Sequence, residues 1–309
     1  MLVRSRASAG IKTLSRYSVS AAIVAALLSG TASVRAADLI EPVYEAPAPL
    51  PVSTSGWYLR GDVGYVFKGK ASGEWDFWNQ FPGVEGIDDT YDYDTFNLDS
   101  TASFGGGIGY RFTDQLRTDA TVDFLRTNVE GETPCPFMVQ TDPNGLALPF
   151  DAACDLKAST KASVWTAMAN AYVDIGQFGR INPYIGAGIG AAHVKYEDVT
   201  EDQVCGAPYS CPYTGVHEGQ SSWRFASSLM AGATVDITGQ LKLDAGYRYT
   251  RIEGGDAYGY DAADTSFGAT GVQGRDDGLN LHSVRAGLRY EFGATSYGDA
   301  HSGGLSSYR

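Results

Sequence analysis

Seven segments of this chain place apolar residues at every second position with polar or charged residues between them, an eighth is β-like, and that two-residue period constrains the fold most. In 56–68, Trp57, Leu59, Val63, Tyr65 and Phe67 share one face with Gly61, and Tyr58, Arg60, Asp62 and Lys68 share the other. Segment 101–112 sets Ala102, Phe104, Ile108, Tyr110 and Phe112 against serine, glycine and Arg111. Segment 115–126 sets Leu116, Ala120, Val122 and Phe124 against Gln115, Arg117, Asp119 and Asp123. Segment 161–175 alternates more weakly, with Trp165, Ala167, Ala169, Ala171 and Val173 opposite Thr166, Asn170, Tyr172 and Asp174. Segment 183–196 (PYIGAGIGAAHVKY) is β-like without distinguishable faces. In 222–236, Trp223, Phe225, Leu229, Ala231 and Val235 oppose Arg224 and Asp236. In 241–253, Leu241, Leu243, Ala245, Tyr247 and Tyr249 oppose Lys242, Asp244 and Arg248. In 280–292, Val284, Ala286, Leu288, Tyr290 and Phe292 oppose Ser283, Arg285, Arg289 and Glu291.

The connections alternate in length. Residues 113–114, about 176–182, and 237–240 are short; 69–100, 127–160, 197–221 and 254–279 are long. Short turns at one end and long loops at the other are the pattern of a membrane-spanning barrel, and a soluble sandwich imposes no such alternation. A soluble sheet also buries its apolar face, whereas here the opposite face is charged on most strands, which suits a small polar lumen. The expected fold is all-β: an eight-stranded antiparallel up-and-down transmembrane β-barrel over 56–292 with four long extracellular loops. Aromatic residues near strand ends suggest two interfacial girdles. Trp57, Phe112, Tyr290 and Phe292 fall at the short-turn end, and Phe67, Phe124, Trp165, Tyr196 and Trp223 at the long-loop end.

The N-terminus supplies the compartment. Arg4, Arg6, Lys12 and Arg16 precede an apolar run, Val19–Leu28, too short to cross a bilayer as a helix. Val34-Arg35-Ala36 fits a cleavage site, so 1–36 reads as a signal peptide. Residues 37–55, rich in Pro and Ala, read as an extended periplasmic lead-in. The formal charge is −13, and removing the basic leader takes it near −18, which argues against a nucleic-acid partner. An exported chain with four cysteines defaults to disulfides. Cys135 and Cys154 share the second long loop, and Cys205 and Cys211 the third. Pairing within each loop is the simplest solution, because it needs no approach of one loop to another.

By parity the lumen receives Arg60, Asp62, Arg111, Arg117, Asp119, Asp123, Arg224, Lys242, Asp244, Arg248, Arg285, Arg289 and Glu291. An eight-stranded barrel is just wide enough for its own side chains. An ion-paired plug is therefore expected, with a narrow conducting pore as the alternative. The four long loops carry a net charge near −20. They read as a solvated, repulsive surface, or as divalent-cation ligands near lipopolysaccharide, although the acidic run Asp88–Asp94 lacks the glycine and distal glutamate of a calcium loop. Trp75, Trp78, Tyr91 and Tyr93 in the first loop could form a recognition surface. His193, His217, His282 and His301 have no metal-ligand spacing, and His282 and Ser283 fall on opposite faces. No enzymatic activity and no cofactor are expected.

The pieces AADLIEPVY after the leader, GWYLRGDVGY, PYIGAGIG, LDAGYRY and HSVRAGLRYEF resemble, in their order and spacing, the small outer-membrane β-barrel proteins of alpha-proteobacteria. That group lies within the wider OmpA/OmpX-like and opacity-protein-like superfamily. The resemblance spans 56–292 and the leader. It implies eight antiparallel strands, both termini in the periplasm, contact with outer-membrane lipid and lipopolysaccharide, and roles in envelope integrity and surface interaction. Some members are surface antigens and some are porin-like. For this chain a small porin or ion channel is the first alternative function, and an adhesin or surface receptor, from the loop aromatics, the second. It also implies that a final strand ending in aromatic residues, here Tyr290 and Phe292, is the signal read by the barrel-assembly machinery. The chain departs from the pattern in its loop cysteines and in 293–309, a Gly- and Ser-rich tail expected to hang loose.

Overall fold

The computed structural model describes residues 55–292, apart from 142–145, 150 and 212. The expected signal peptide, the lead-in up to residue 54 and the tail 293–309 lie outside the described residues. In chain order the elements are β1 (Gly56–Val66), β2 (Gly69–Lys70), β3 (Gly73–Asn79), β4 (Gly86–Asp92), β5 (Thr95–Leu98), β6 (Thr101–Arg111), β7 (Leu116–Pro134), α1 (Phe137–Thr141), β8 (Cys154–Asp174), β9 (Ile181–Tyr196), β10 (Val199–Cys205), β11 (Thr214–Gly219), β12 (Ser221–Asp236), β13 (Leu241–Asp261), α2 (Ala262–Ser266) and β14 (Val272–Glu291).

Strands β1, β6, β7, β8, β9, β12, β13 and β14 pair antiparallel, each with the next. β14 returns to β1 in a register running from Tyr58↔Glu291 to Val66↔Ser283, so these eight close on themselves and leave no edge. Two of the short turns share one chemistry. Thr113 Oγ1 accepts from the backbone N–H of Gln115 and Leu116, and Thr238 Oγ1 accepts from Gln240 and Leu241. The threonine hydroxyl satisfies donors that the turn frees, and the Thr-x-Gln-Leu sequence recurs at both places.

Exposure is inverted relative to a soluble sheet. Outward positions carry large apolar side chains with about half their surface free, among them Leu59, Val63, Ile108, Val122, Ile189 and Leu288. The inner wall buries arginine, aspartate and tyrosine instead. Lipid can accept the first surface, and only mutual pairing can accept the second. From Trp57 in β1 to Phe67, the residue after it, the outward side chains extend about 33 Å along the chain, or about 25 Å along the axis at an ordinary tilt, the height of an outer-membrane apolar band. Close packing inside depends on glycine. A Cβ at Gly109 would overlap the Tyr58 ring, and one at Gly105 would overlap the Asp123 carboxylate.

Two sequence expectations are corrected. The long connections are largely sheet: β7, β8, β13 and β14 run well past the alternating segments, and β2–β5, β10 and β11 add further pairing at that end. Once two strands are in register, neighbouring backbone groups pair with little further closure cost. The extension of β7 keeps the alternation, whereas that of β13 loses it because both faces are covered; Ala257–Asp261 are all buried. Second, Tyr196 is not a girdle residue. It lies inside, 1% exposed, and its hydroxyl donates to Asp276 at 2.8 Å. Its strand is so rich in glycine and alanine that nothing polar marked the inner face; Ile185 and Ile189 point out, and Tyr184, Val194 and Tyr196 point in.

Candidate functional site

The inner wall of the ring is a chain of ion pairs. Arg60 meets Asp62 at 2.6 Å and Asp119 at 2.9 Å. Asp119 also accepts from Asn170 Nδ2 at 2.7 Å and from the hydroxyls of Tyr58 and Tyr172. Asp123 is held by Arg248 at 2.8 Å and by Arg285, which also approaches Asp62. Toward the short turns, Arg111 bridges Asp174 at 3.2 Å and Glu291 at 2.9 Å. Arg117 meets Asp174 at 3.3 Å and Asp244 at 4.0 Å, and stacks over the rings of Tyr172 and Tyr184 at 4.1 and 4.7 Å. Arg289 reaches Asp244 and Glu291, and Lys242 reaches Asp236 and Glu291. Nearer the long-loop end, Arg224 meets Asp276 at 2.7 Å in a separate pair, each side chain at most 1% exposed.

Every lumen residue named from parity stands in at least one of these pairs. The sequence reading left out three partners. Asp174 and Asp236 sat at the correct parity at strand ends and could have been included. Asp276 lies in Gly274–Gly278, a glycine- and charge-rich stretch that carries no strand signal of its own.

The long-loop end forms a folded crown. Cys135–Cys154 joins the end of β7 to the start of β8, and Cys205–Cys211 closes the segment after β10, with Cα–Cα distances of 5.4 and 5.6 Å. The two bridges are adjacent, because Cys154 and Cys205 are partners in the β8–β10 register. The first-loop aromatics are partly internal. Trp75 is buried and stacks on Tyr91, and Tyr93 is buried against Tyr258.

Acid accumulates in the crown. Burial, followed by the charges of Asp261 and Asp264, pushes the Glu201 carboxyl up to about 7. Burial also raises Asp264 and lowers His217 from their ordinary values. Asp261 caps α2 through Asp264 N and accepts from the Tyr213 hydroxyl at 2.8 Å. Among the described residues, no three carboxylates bring oxygens within 4.8 Å of one another as a metal site would require. His282 is exposed beside Tyr247 and Tyr249, whereas Ser283 is buried and donates to Arg248 O, so the two do not meet. At the short-turn end Phe292 is half exposed, its N–H donates to Trp57 O at 2.8 Å, and its ring meets Tyr290 edge-on at 5.2 Å.

A closed antiparallel ring, apolar outside and ionic inside, defines an outer-membrane β-barrel fold. The family described as the outer membrane protein beta-barrel domain matches residues 22–292, and this chain belongs to it. An uncharacterized protein of Brucella melitensis is 50% identical over 283 residues, covering 88% of this chain and 97% of its own length. Outer membrane protein PagN of Salmonella typhimurium is 30% identical over 152 residues, covering 47% of this chain and 56% of PagN. Among solved structures, neisserial surface protein A aligns over 77% of this chain and 97% of its own at 16% identity, with a TM-score of 0.37. Membership places the chain in the outer membrane of a Gram-negative cell.

Proposed function

We propose that this chain is an eight-stranded up-and-down transmembrane barrel, its short turns in the periplasm and its four long connections outside. In this reading it is a structural and surface-interaction protein that supports the envelope, catalyses no reaction and does not conduct. The packed lumen carries the reading. Arg117 and Arg289 are 0% and 1% exposed inside the ring, and guanidinium groups so enclosed leave little room for water to pass.

The crown faces the exterior in this arrangement, close to lipopolysaccharide, and its acidity disfavours nucleic acid. Tyr290 and Phe292 serve as the strand-terminal signal for the barrel-assembly machinery. The refolded protein in planar bilayers should give no sustained current above the lipid baseline. Large, stable single-channel currents would sink the plug and make the protein a small porin. The adhesin or receptor reading gains support from one observation, an acidic, aromatic-lined cavity within the crown.

A further inference from the structure

A cavity of about 780 Å³ lies in the crown among the β3–β4 hairpin, the α1 segment, β10, β11 and α2. That volume is in the range of small-ligand sites. Trp75, Trp78, Phe81 and Phe267 give it aromatic walls, and Glu201, Asp261 and Asp264 give it an acidic side. No lysine or arginine stands among its described lining residues. Three deeply buried side chains lining it have polar atoms without a hydrogen-bond partner. His217, at 4% exposure, lies against the Gln273 side chain and the Gly259 backbone without a well-formed hydrogen bond from either ring nitrogen, Oε1 of Gln273, at 3%, is likewise unclosed, and Nε1 of Trp75, at 4%, has no partner. Native interiors rarely leave such atoms unpaired. The unpaired arginine atoms of the lumen lie beside counter-ions, whereas this set lines a cavity with room for a ligand.

The chemistry of the missing partner follows from the lining. Gln273 Oε1, the unprotonated nitrogen of a neutral His217 and three carboxylates all accept, so the ligand must be rich in donors and positively charged. Flat aromatic walls favour a planar cation that can stack as well as donate. A guanidinium meets both demands, with five N–H groups in one plane, whereas an ammonium offers only three and no face. The Trp75 indole N–H and the protonated nitrogen of His217 add two donors, suited to a peptide carbonyl beside the cation.

We propose that the crown cavity binds an arginine side chain presented by a peptide or protein partner, with Glu201 and its acidic neighbours as counter-charge and the tryptophans as the stacking surface. Access for an external partner rests on the orientation proposed above. Binding to refolded protein does not, so a conducting barrel would overturn that function and leave this site to stand or fall separately.

The test uses the full chain refolded in detergent micelles at about physiological ionic strength, where attraction between exposed charges is screened beyond ~8 Å. The probes are the N-acetyl amides of arginine, lysine and glutamate, titrated by calorimetry and by tryptophan fluorescence. The arginine probe should bind saturably, the lysine probe more weakly, and the glutamate probe not at all. Glu201→Gln and Trp78→Ala should each weaken arginine binding tenfold or more while the barrel keeps its heat-modifiable mobility. If Glu201→Gln does not refold, Trp78→Ala decides. The proposal is overturned by an absence of saturable arginine binding, by lysine or glutamate binding as tightly as arginine, or by wild-type affinity in the variants that fold.

Discussion

Asp123 in the ring and Glu201 in the crown are both carboxylates withdrawn from solvent, but their surroundings differ in kind. Asp123 lies between the guanidinium groups of Arg248 and Arg285. Glu201 has Asp261 and Asp264 for electrostatic neighbours, and burial with their charge raises its pKa to about 7. The ring treats charge as filling: each ion has a counter-ion, although single atoms of the wall, both Nη of Arg117 and Nη1 of Arg289 among them, make no hydrogen bond. The crown instead concentrates one sign of charge around Glu201. A buried ion pair stabilises weakly against an apolar substitute, but breaking it is costly, so the ring is organised for integrity. Uncompensated acid at the free end destabilises the crown, a cost expected where something else is to be bound.

The contrast can be broken most forcefully in the ring. Arg224 and Asp276 form an unshared pair, so Arg224→Ala leaves Asp276 only the Tyr196 hydroxyl and the Gly278 N–H. It should cost about 3–5 kcal/mol in denaturant unfolding of the micelle-bound barrel. Arg248→Ala should cost less, about 1–3 kcal/mol, because Asp123 keeps Arg285. Equal losses would mean that the lumen charges do not act as discrete pairs.

A second intervention tests whether the two regions are energetically separate. Replacing Cys135 and Cys154 by serine opens a bridge with a sequence separation of 19, worth about 3 kcal/mol by chain entropy. The loss should be confined to the crown, with faster proteolysis there and an unchanged heat-modifiable ring. Loss of the folded ring would show that the crown holds the barrel together.

The smallest effect is one of pH. Glu201 ionises near 7 when folded and near 4.5 ordinarily, so the folded crown binds its proton more tightly. That contribution is fully present below about pH 4.5 and is lost as pH rises through about 7. His217 works in the opposite direction: burial lowers it, so its contribution is present above 6.5 and is lost as pH falls through its folded value. The opening equilibrium of the crown, read from amide hydrogen exchange after the base-catalysed intrinsic rate is divided out, should therefore rise between pH 5 and 7.5 by on the order of tenfold. Glu201→Gln should flatten that rise, and an unchanged profile would exclude Glu201 as its source.

How far the sequence reached depends on which side of the membrane boundary a residue lies. Within the ring, lipid outside and ions inside impose alternation, so β1 could be read residue by residue, Trp57 out and Tyr58 in. β9 could not, because glycine and alanine fit either face, and Tyr196 was assigned to the outer girdle for that reason. Beyond the ring the boundary disappears. Gly254–Asp261 and Val272–Gly278 are strands by virtue of pairing with each other and read as loop on their own composition. Asp276 was invisible in the same way, since its role depends on Arg224, 52 positions away. The within-loop cysteine pairing was accessible because it depended only on proximity along the chain. The crown cavity was not, because its lining comes from several loops that nothing in the sequence relates.

The glycines of the inner wall carry a consequence for how such a protein can change over generations. Gly109 is empty because Tyr58 fills its space, and Gly105 because Asp123 does. An added methyl group displaces Tyr58 from its hydrogen bond to Asp119 in the first case and Asp123 from Arg248 and Arg285 in the second. Single substitutions inside are therefore doubly penalised, in volume and in charge, and viable variants there must arrive as matched pairs. Positions facing lipid ask only for an apolar side chain and can exchange one at a time. Two lineages descended from this chain would thus drift apart first on the outer surface, while the inner wall kept a slower clock.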